Sequence, residues 1–207
     1  MNTIPHTITL ALSGASGMPY AFRLLEQLVK AQKQIYVVQS QAAQMVIALE
    51  TEFKWPNQPQ KLAAVLTERY QATPGQIKVF GNNDWLAPIA SGSGISDAMV
   101  ICPCTSGCLA AIAHGMSDNL LERAADVSLK EQRKLIMVIR ETPFSAIHLE
   151  NMLKLARLGA VILPANPGFY NKPQTIDDLV DFIVARILDQ LQISNELNLR
   201  WGLQNSN

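Results

Sequence analysis

Small and hydroxylated residues follow an apolar run near the start of the chain. In order, the segment after this run reads Ser13, Gly14, Ala15, Ser16, Gly17, Met18 and Pro19. Free backbone N–H groups in such a turn, and a helix that begins at Pro19, favour binding of an anion. Close packing of a strand against a helix selects the same small residues, so the turn alone leaves both phosphate binding and a purely structural role open.

Two basic residues with the spacing of one helix face occur later in the chain. Arg123 and Lys130 are seven residues apart, with Asp126 between them. The spacing slightly favours a solvated salt-bridge ladder along the helix over a phosphate-binding role. It would also place a guanidinium and an ammonium beside a bound phosphate.

Further charged residues stand where an apolar segment ends. Arg140 and Glu141 close a predicted strand and precede Thr142 and Pro143. A carboxylate beside phosphate and cations could hold or relay a proton, whereas an ion pair that anchors the next loop is equally consistent with the sequence. Glu50 ends a predicted helix, where the helix dipole disfavours negative charge, so we expect a specific partner for it.

The C-terminal part of the chain offers fewer such signals. Arg186 lies at the border of an apolar stripe and could snorkel or pair with Asp189. Tyr170 and Trp201 could cover a planar ligand, although aromatic residues serve more often in the core. The three cysteines, Cys102, Cys104 and Cys108, would need a fourth ligand such as His114 to bind a metal, so we interpret them as structural.

The composition indicates one globular domain over residues 1–207. The chain is 48% hydrophobic, and its 17 basic and 17 acidic residues cancel, which argues against a nucleic-acid surface or a polybasic membrane contact. No apolar run is long enough to cross a bilayer, and the N-terminus lacks the positive region of a secretory signal. We therefore expect a cytoplasmic protein.

Apolar, β-branched runs alternate with amphipathic segments. Strands are predicted at 7–12, 34–39, 77–80, 98–102, 135–139 and 160–163. Helices are predicted at 18–31, 41–50, 60–70, 107–114, 119–132 and 146–158, with a last helix capped by Thr175 and Asp178. Residues 54–60 are predicted to be a loop. The alternation predicts an α/β fold, a three-layer Rossmann-like (flavodoxin-like) parallel sheet with helices on both faces.

The polar segments converge on one edge of this predicted sheet. In an open parallel sheet, ligands bind beyond the carboxyl ends of the strands. The segments that follow those ends, or precede the fourth strand, are Ser13 to Gly17, Ser40, Ser91 to Gly94, Cys102 to Gly107, Arg140 with Glu141, and Pro164 to Tyr170. Their convergence predicts one shared ligand site.

Several of these segments together resemble the UbiX family of flavin prenyltransferases. The similarity runs from about Thr7 to Trp201 and rests on Gly14-Ala15-Ser16-Gly17, Ser91-Gly92-Ser93, Cys102-Pro103-Cys104, the stretches 119–127 and 129–131, Arg140-Glu141-Thr142-Pro143 and Pro167-Gly168-Phe169-Tyr170. The resemblance implies an enzyme that needs no metal, binds FMN and joins the dimethylallyl group of dimethylallyl phosphate to N5 and C6 of the reduced flavin. It further implies a homo-oligomer, a dodecamer with the site where subunits meet, whose prenylated FMN serves UbiD-type decarboxylases of ubiquinone synthesis or aromatic acid metabolism.

The resemblance also implies roles for single residues. FMN would be contacted by Gly14, Ala15, Ser16, Ser40, Ser91, Gly92, Ser93, Gly94 and Arg123. Dimethylallyl phosphate would be held by Lys130, Arg140, Glu141, Tyr170, Arg186 and Trp201, which closes over the site with the C-terminal tail. The catalytic residues would be Ser16, Glu50, Lys130 and Glu141, with Glu141 assisting phosphate departure and Ser16 and Glu50 moving protons near the flavin. Trp85 would wall the prenyl pocket, and Gln41 stands where the family often has Lys.

Two other classes of function are consistent with a flavin site. The related flavin-dependent cysteine decarboxylases share a similar Asn-Leu-Leu segment but use a histidine base, and no histidine lies between His6 and His114. A non-catalytic flavin carrier would need the flavin contacts without the second group of cations. That second group favours the transferase.

Overall fold

One parallel sheet of six strands runs through residues 4–197, the part of the chain that a computed structural model describes. The strands are β1 (Thr7–Leu12), β2 (Gln34–Gln39), β3 (Ile77–Phe80), β4 (Ala98–Cys104), β5 (Lys134–Ile139) and β6 (Val161–Ile162). Their order across the sheet is β3-β2-β1-β4-β5-β6, and all neighbours are parallel. This is the predicted α/β architecture.

Helices cover both faces of the sheet. They are α1 (Met18–Lys30), α2 (Gln41–Glu50), α3 (Pro59–Tyr70), α4 (Ser106–Ala113), α5 (Leu120–Lys130), α6 (Ala146–Arg157) and α7 (Ile176–Gln190). One core cluster joins the sheet to α1, α2, α3 and α7, and a second joins it to α4, α5 and α6. The three predicted layers are therefore confirmed.

The central strands supply side chains to both clusters because successive residues of a strand point to opposite faces. In β4, Val100 and Cys102 lie in the first cluster, whereas Met99 and Ile101 lie in the second. All four are fully buried. This double burial explains why the strands appear in the sequence as continuous apolar runs.

Several element boundaries differ from the prediction. Strand β4 continues past Cys102 to Cys104, because the register shifts between Ile101 and Cys104 and Pro103 lies at this irregularity, where its missing N–H costs no ladder bond. Helix α3 begins at Pro59, since proline is well tolerated in the first helical turn, so the predicted loop 54–60 is too long. Helix α5 is shorter than predicted, because Asn119 is its N-cap and Gln132 has a φ of 53°.

Side-chain caps fix where two helices begin. At α7, the Thr175 hydroxyl accepts from Asp178 N–H and the Asp178 carboxylate accepts from Thr175 N–H, as predicted. The equivalent cap of α6, made by Ser145 and His148, was not anticipated. No helix between residues 4 and 197 is long and apolar enough to span a membrane.

The order of the strands reverses between β1 and β4. The chain moves outward from β1 to β2 and β3, and then in the other direction from β4 to β5 and β6. Connections leave β1 and β4 toward opposite sides, which opens a crevice beyond their carboxyl ends. The sheet thus places a candidate ligand site at these two ends.

Candidate functional site

Hydrogen bonds from Ser13 join the ends of β1 and β4. Its hydroxyl donates to the Pro103 carbonyl at 2.8 Å and accepts from Thr105 N–H, also at 2.8 Å. The Thr105 side chain in turn accepts from Cys108 N–H and caps α4. Ser13 therefore fixes the turn after β1 relative to the first residues of α4.

The turn after β1 packs closely on α2. A Cβ at Gly14 would overlap the Ala42 side chain and lie 3.1 Å from the carbonyl carbon of Ala42, so glycine is needed here for close approach. Ala15 is buried, while the neighbouring Ser16 is exposed. Gly17 has a φ of 116°, the left-handed region that favours glycine.

The carboxylate of Glu50 binds the N-terminus of α1. Gly17 N–H donates to both oxygens at 3.1 and 2.9 Å, and Met18 N–H donates to Oε2 at 2.9 Å. Glu50 thus has the specific partner that the sequence led us to expect. The anion bound at this helix terminus is the protein's own, so these two N–H groups are not the phosphate donors that the turn suggested.

Ser40 follows β2 at the same edge of the sheet. Its hydroxyl accepts from Ala43 N–H at 3.1 Å and so forms the N-cap of α2. A serine hydroxyl that accepts one hydrogen bond retains its own proton for donation. Ser40 can therefore both cap the helix and donate to a ligand oxygen.

The segment Pro88–Gly94, here called the serine loop, lies against α5. Arg123 Nε donates to the Ala90 carbonyl at 3.0 Å, and the Ser91 and Ser93 hydroxyls are 3.3 Å apart. A Cβ at Gly94 would lie 2.8 Å from the Pro88 carbonyl oxygen, which explains the glycine. The fold thus brings together Arg123 and the serine loop, as predicted for a flavin site.

The predicted salt-bridge ladder on α5 forms only in part. Arg123 pairs with Asp126 at 2.8 Å. Lys130 pairs with Glu131 instead of Asp126, so the i+4 step of the ladder is wrong. The Lys130 ammonium and the Glu131 carboxylate lie beside Gly92, where an added Cβ would be 3.1 Å from Lys130 Nζ.

Glu141 follows β5 and has partners that hold it ionised. The Ser106 hydroxyl of α4 hydrogen-bonds the carboxylate, and Thr142 N–H donates to it at 3.2 Å. These bonds hold the pKa of Glu141 below its ordinary range. The neighbouring Arg140 is exposed.

Tyr170 and Arg186 lie near α7. The Tyr170 ring contacts the Phe182 ring edge-on, with centroids 5.7 Å apart, and a Cβ at Gly168 would come within 3.0 Å of both rings. Arg186, one turn after Phe182, pairs with Asp189 at 2.8 Å, one of the alternatives left open by the sequence. Trp201 lies outside the described residues, and Trp85 is half exposed.

Two residues of this arrangement were missed as site residues by sequence reasoning. Ser106 lies within the segment 102–107 that was predicted to face the ligand, but its hydrogen bond to Glu141, which follows the neighbouring strand β5, was not predicted. Glu131 stands next to Lys130 in the chain, and the only signal was a carboxylate at a helix C-terminus, where the dipole disfavours it.

The three cysteines lie in and directly after β4. Cys102 and Cys104 are buried, and burial raises the pKa of the Cys102 thiol. A hydrogen bond to Cys108 and burial raise the pKa of Cys104. Within residues 4–197, no three His, Cys, Asp or Glu side chains are grouped so that they could hold a metal ion.

The donor groups of these segments suit a flavin mononucleotide. Hydroxyls of Ser40, Ser91 and Ser93 can donate to a phosphate or to ribityl oxygens, and Arg123 supplies a positive charge beside the serine loop. Neutral donors with one guanidinium suit a phosphorylated, largely uncharged ligand.

Comparison with known proteins identifies relatives over nearly the whole chain. The family model described as Flavoprotein matches residues 1–188. The flavin prenyltransferase UbiX of Pseudomonas aeruginosa is 58% identical over 200 residues, which are 97% of this chain and 96% of that protein.

Two solved structures share the fold over nearly the whole chain. AnUbiX (PadA1), solved in complex with FMN and dimethylallyl pyrophosphate, is 38% identical with a TM-score of 0.85, and the match covers 97% of this chain and all 100% of that one. A dodecameric FMN-dependent UbiX-like decarboxylase from Escherichia coli O157:H7 is 39% identical with a TM-score of 0.83, covering 94% and 98% of the two chains.

Proposed function

The chain belongs to the flavoprotein family and, within it, to the UbiX flavin prenyltransferases, and from this premise we propose how its residues perform the reaction. The enzyme transfers the dimethylallyl group of dimethylallyl phosphate to N5 and C6 of reduced FMN. The observation that carries the residue assignments is the position of Arg123 and Lys130, which both reach the serine loop. The two cations, one beside Ala90 and one beside Gly92, can serve two phosphate-bearing ligands.

FMN is held by the turn after β1, by Ser40 and by the serine loop. The assigned contacts are Gly14, Ala15, Ser16, Ser40, Ser91, Gly92, Ser93, Gly94 and Arg123. When bound and reduced, the flavin supplies the nucleophilic N5 and C6 atoms. Glu50 supports this half of the site, because its carboxylate fixes the N-terminus of α1 next to Ser16.

The phosphate of the prenyl donor is held by the second group of residues. These are Lys130, Arg140, Glu141, Tyr170, Arg186 and Trp201. Cations at the phosphate stabilise the negative charge that grows as the carbon–oxygen bond breaks. The Tyr170 ring, packed on Phe182, can shelter the allylic cation from water and attract it through its face.

Proton transfers fall to Glu141, Ser16 and Glu50. Glu141 is ionised at neutral pH because Ser106 and Thr142 N–H stabilise its charge, so it can take up and return a proton at a phosphate oxygen. Ser16 is exposed and precedes Gly17, whose N–H donates to the Glu50 carboxylate, which supports a role for Ser16 in passing a proton on the flavin side.

The product, assembly and location are proposed by analogy with the relatives. Prenylated FMN would pass to a UbiD-type decarboxylase. The chain would form a homo-oligomer, as the dodecameric relative does, with residues 1–207 acting as one flavin-binding domain whose C-terminal helix and tail close the site. A cytoplasmic location stays a prediction.

Mass analysis of the flavin tests the function and the role of Glu141 together. We would incubate the enzyme anaerobically with reduced FMN and dimethylallyl phosphate and weigh the released flavin. We expect a gain of one five-carbon unit, slowed in Glu141→Gln but not in Glu68→Gln, an exposed position on α3. Tightly bound but unmodified FMN would instead support the carrier, and carbon dioxide release from a peptide with a C-terminal cysteine would support the decarboxylase.

A further inference from the structure

Glu131 holds the ammonium group of Lys130. The two side chains form an ion pair at the end of α5, and they are 39% and 48% exposed, respectively. Lys130 also lowers the pKa of Glu131 through the hydrogen bond and its charge. The carboxylate therefore stays ionised and attached to a cation assigned to the prenyl phosphate.

The position of Glu131 costs the helix free energy. Glu131 is the C-cap of α5, where the negative end of the helix dipole repels a carboxylate and attracts Lys130. A glutamate kept against this repulsion indicates a task other than capping. Its carboxylate instead accepts a hydrogen bond from Lys130.

Gly92 makes room for this ion pair. An added Cβ would overlap the Glu131 carboxylate and approach Lys130 Nζ at 3.1 Å. The φ of Gly92 lies outside the left-handed region, so the residue is glycine for space and not for backbone freedom. The ion pair thus contacts the serine loop at Gly92, beside the proposed phosphate site.

We propose that Glu131 is a positioning residue that competes with the phosphate of the prenyl donor for Lys130, over Gly92. This inference rests on the proposed phosphate role of Lys130. The carboxylate directs the ammonium toward the serine loop, and an arriving phosphate takes its place. After transfer, the carboxylate returns to Lys130 and helps to expel inorganic phosphate.

Phosphate affinity measures this competition directly. Inorganic phosphate and dimethylallyl phosphate would be titrated calorimetrically into the FMN-loaded enzyme. We expect Glu131→Gln to lower both Kd values about two- to fivefold, the effect of removing a competing exposed ion pair. It should also lower the KM for dimethylallyl phosphate and slow phosphate release, whereas Glu68→Gln, with the same change in net charge, leaves all of them unchanged.

A second substitution shows whether the effect passes through Lys130. Lys130→Met should weaken phosphate binding, and adding Glu131→Gln to it should change nothing further. An unchanged or weaker phosphate affinity in Glu131→Gln, or an effect of Glu131→Gln that persists without Lys130, would overturn the proposal.

Failure of this inference can be told apart from failure of the proposed function. If Lys130→Met leaves phosphate binding intact, the assignment of Lys130 and this inference both fail, while a heavier flavin still demonstrates prenyl transfer. If no heavier flavin forms, the phosphate titrations still decide the role of Glu131.

Discussion

Three glutamates of the site have different hydrogen-bond partners, and the partners give them different tasks. Glu50 accepts from two backbone N–H groups, Glu131 from the Lys130 ammonium, and Glu141 from a serine hydroxyl and one backbone N–H. A carboxylate that accepts from two backbone N–H groups is held in place, whereas one bound to a half-exposed lysine can be exchanged for another anion. A carboxylate beside a hydroxyl remains accessible to a substrate proton.

Removing the Ser106 hydroxyl should change the pH dependence of the reaction. Ser106 stabilises the charged form of Glu141, so the pKa of Glu141 rises toward its ordinary range in Ser106→Ala. The limb of the pH–rate profile that reports this carboxyl group then moves to higher pH. Single-turnover rates of flavin prenylation across the acidic range measure the shift. Ser106→Thr, which keeps a hydroxyl, serves as the control, and coincident profiles for Ser106→Ala and the natural enzyme would contradict the assigned hydrogen bond.

Removing the Glu50 carboxylate should weaken both the fold and the flavin site. Glu50→Ala leaves the Gly17 and Met18 N–H groups without their acceptor, which costs about 1–2 kcal/mol of unfolding free energy. We expect prenylation to slow as well, because Ser16 loses its fixed neighbour. Denaturant unfolding and single-turnover rates check the two effects. Glu52→Ala, two residues on and exposed, is the matched control, and an equal loss in both variants would argue against the cap.

The sequence singled out Glu50 and Lys130 but not the groups they contact. Glu50 was recognised from its unfavourable place at a helix end, yet its partner lies 33 residues away and depends on the packing of α2 beside α1. Lys130 was assigned correctly to α5, but its pairing with Glu131 was missed, because helix spacing alone favours Asp126. Such contacts follow from tertiary geometry and local rotamers, which periodicity does not encode.

At the scale of elements, the loop 164–170 depends on its packing against α7. Gly168→Ala should push the Tyr170 ring away from Phe182, because the new Cβ would lie 2.9–3.0 Å from ring carbons of both. We expect the KM for dimethylallyl phosphate to rise several-fold while FMN affinity stays the same. Gly81→Ala is a suitable control, since its Cβ would meet only Pro59 at 3.9 Å. Equal KM values in both variants would place Tyr170 outside the prenyl site.

Strands and helices with clear apolar patterns were predicted closely. The bounds of β1, β2 and β3 agree with the structure, and α2 agrees at both ends. Errors occur at Pro59 and Pro103, which lie just outside the predicted helix 60–70 and the predicted strand 98–102. Both prolines lie where a missing N–H is harmless, one in a first helical turn and one at a shift of strand register.

At the scale of the molecule, two properties shape the site: the local pairing of its cations and the order of its strands. The net charge is zero, and the cations Arg123, Lys130 and Arg186 each pair with a carboxylate of the same segment. Local neutralisation keeps these basic groups from producing a strongly basic surface. The reversal of strand order, which alternation in the sequence could not reveal, then decides that the turn after β1 and the start of α4 meet.

Assembly of several chains should depend on the outer face of α2. Met45 and Leu49 are 67% and 83% exposed and lie one helical turn apart, directly before Glu50. Apolar side chains at such spacing are typical of a helix covered by a partner, and the proposed oligomer supplies a second copy as that partner. We expect the double variant Met45→Lys and Leu49→Lys to form smaller particles, and light scattering after size exclusion measures their mass.

The matched control places two lysines at the same spacing on α3. Gln60 and Ala64 are exposed and four residues apart, so Gln60→Lys with Ala64→Lys adds the same charge to a polar surface. If the site needs residues from more than one subunit, the α2 variant should also lose FMN and prenylation while the α3 variant keeps both. An α2 variant of smaller mass with full activity would show that a single chain contains the whole site, and an unchanged mass would place the contacts between subunits on another face.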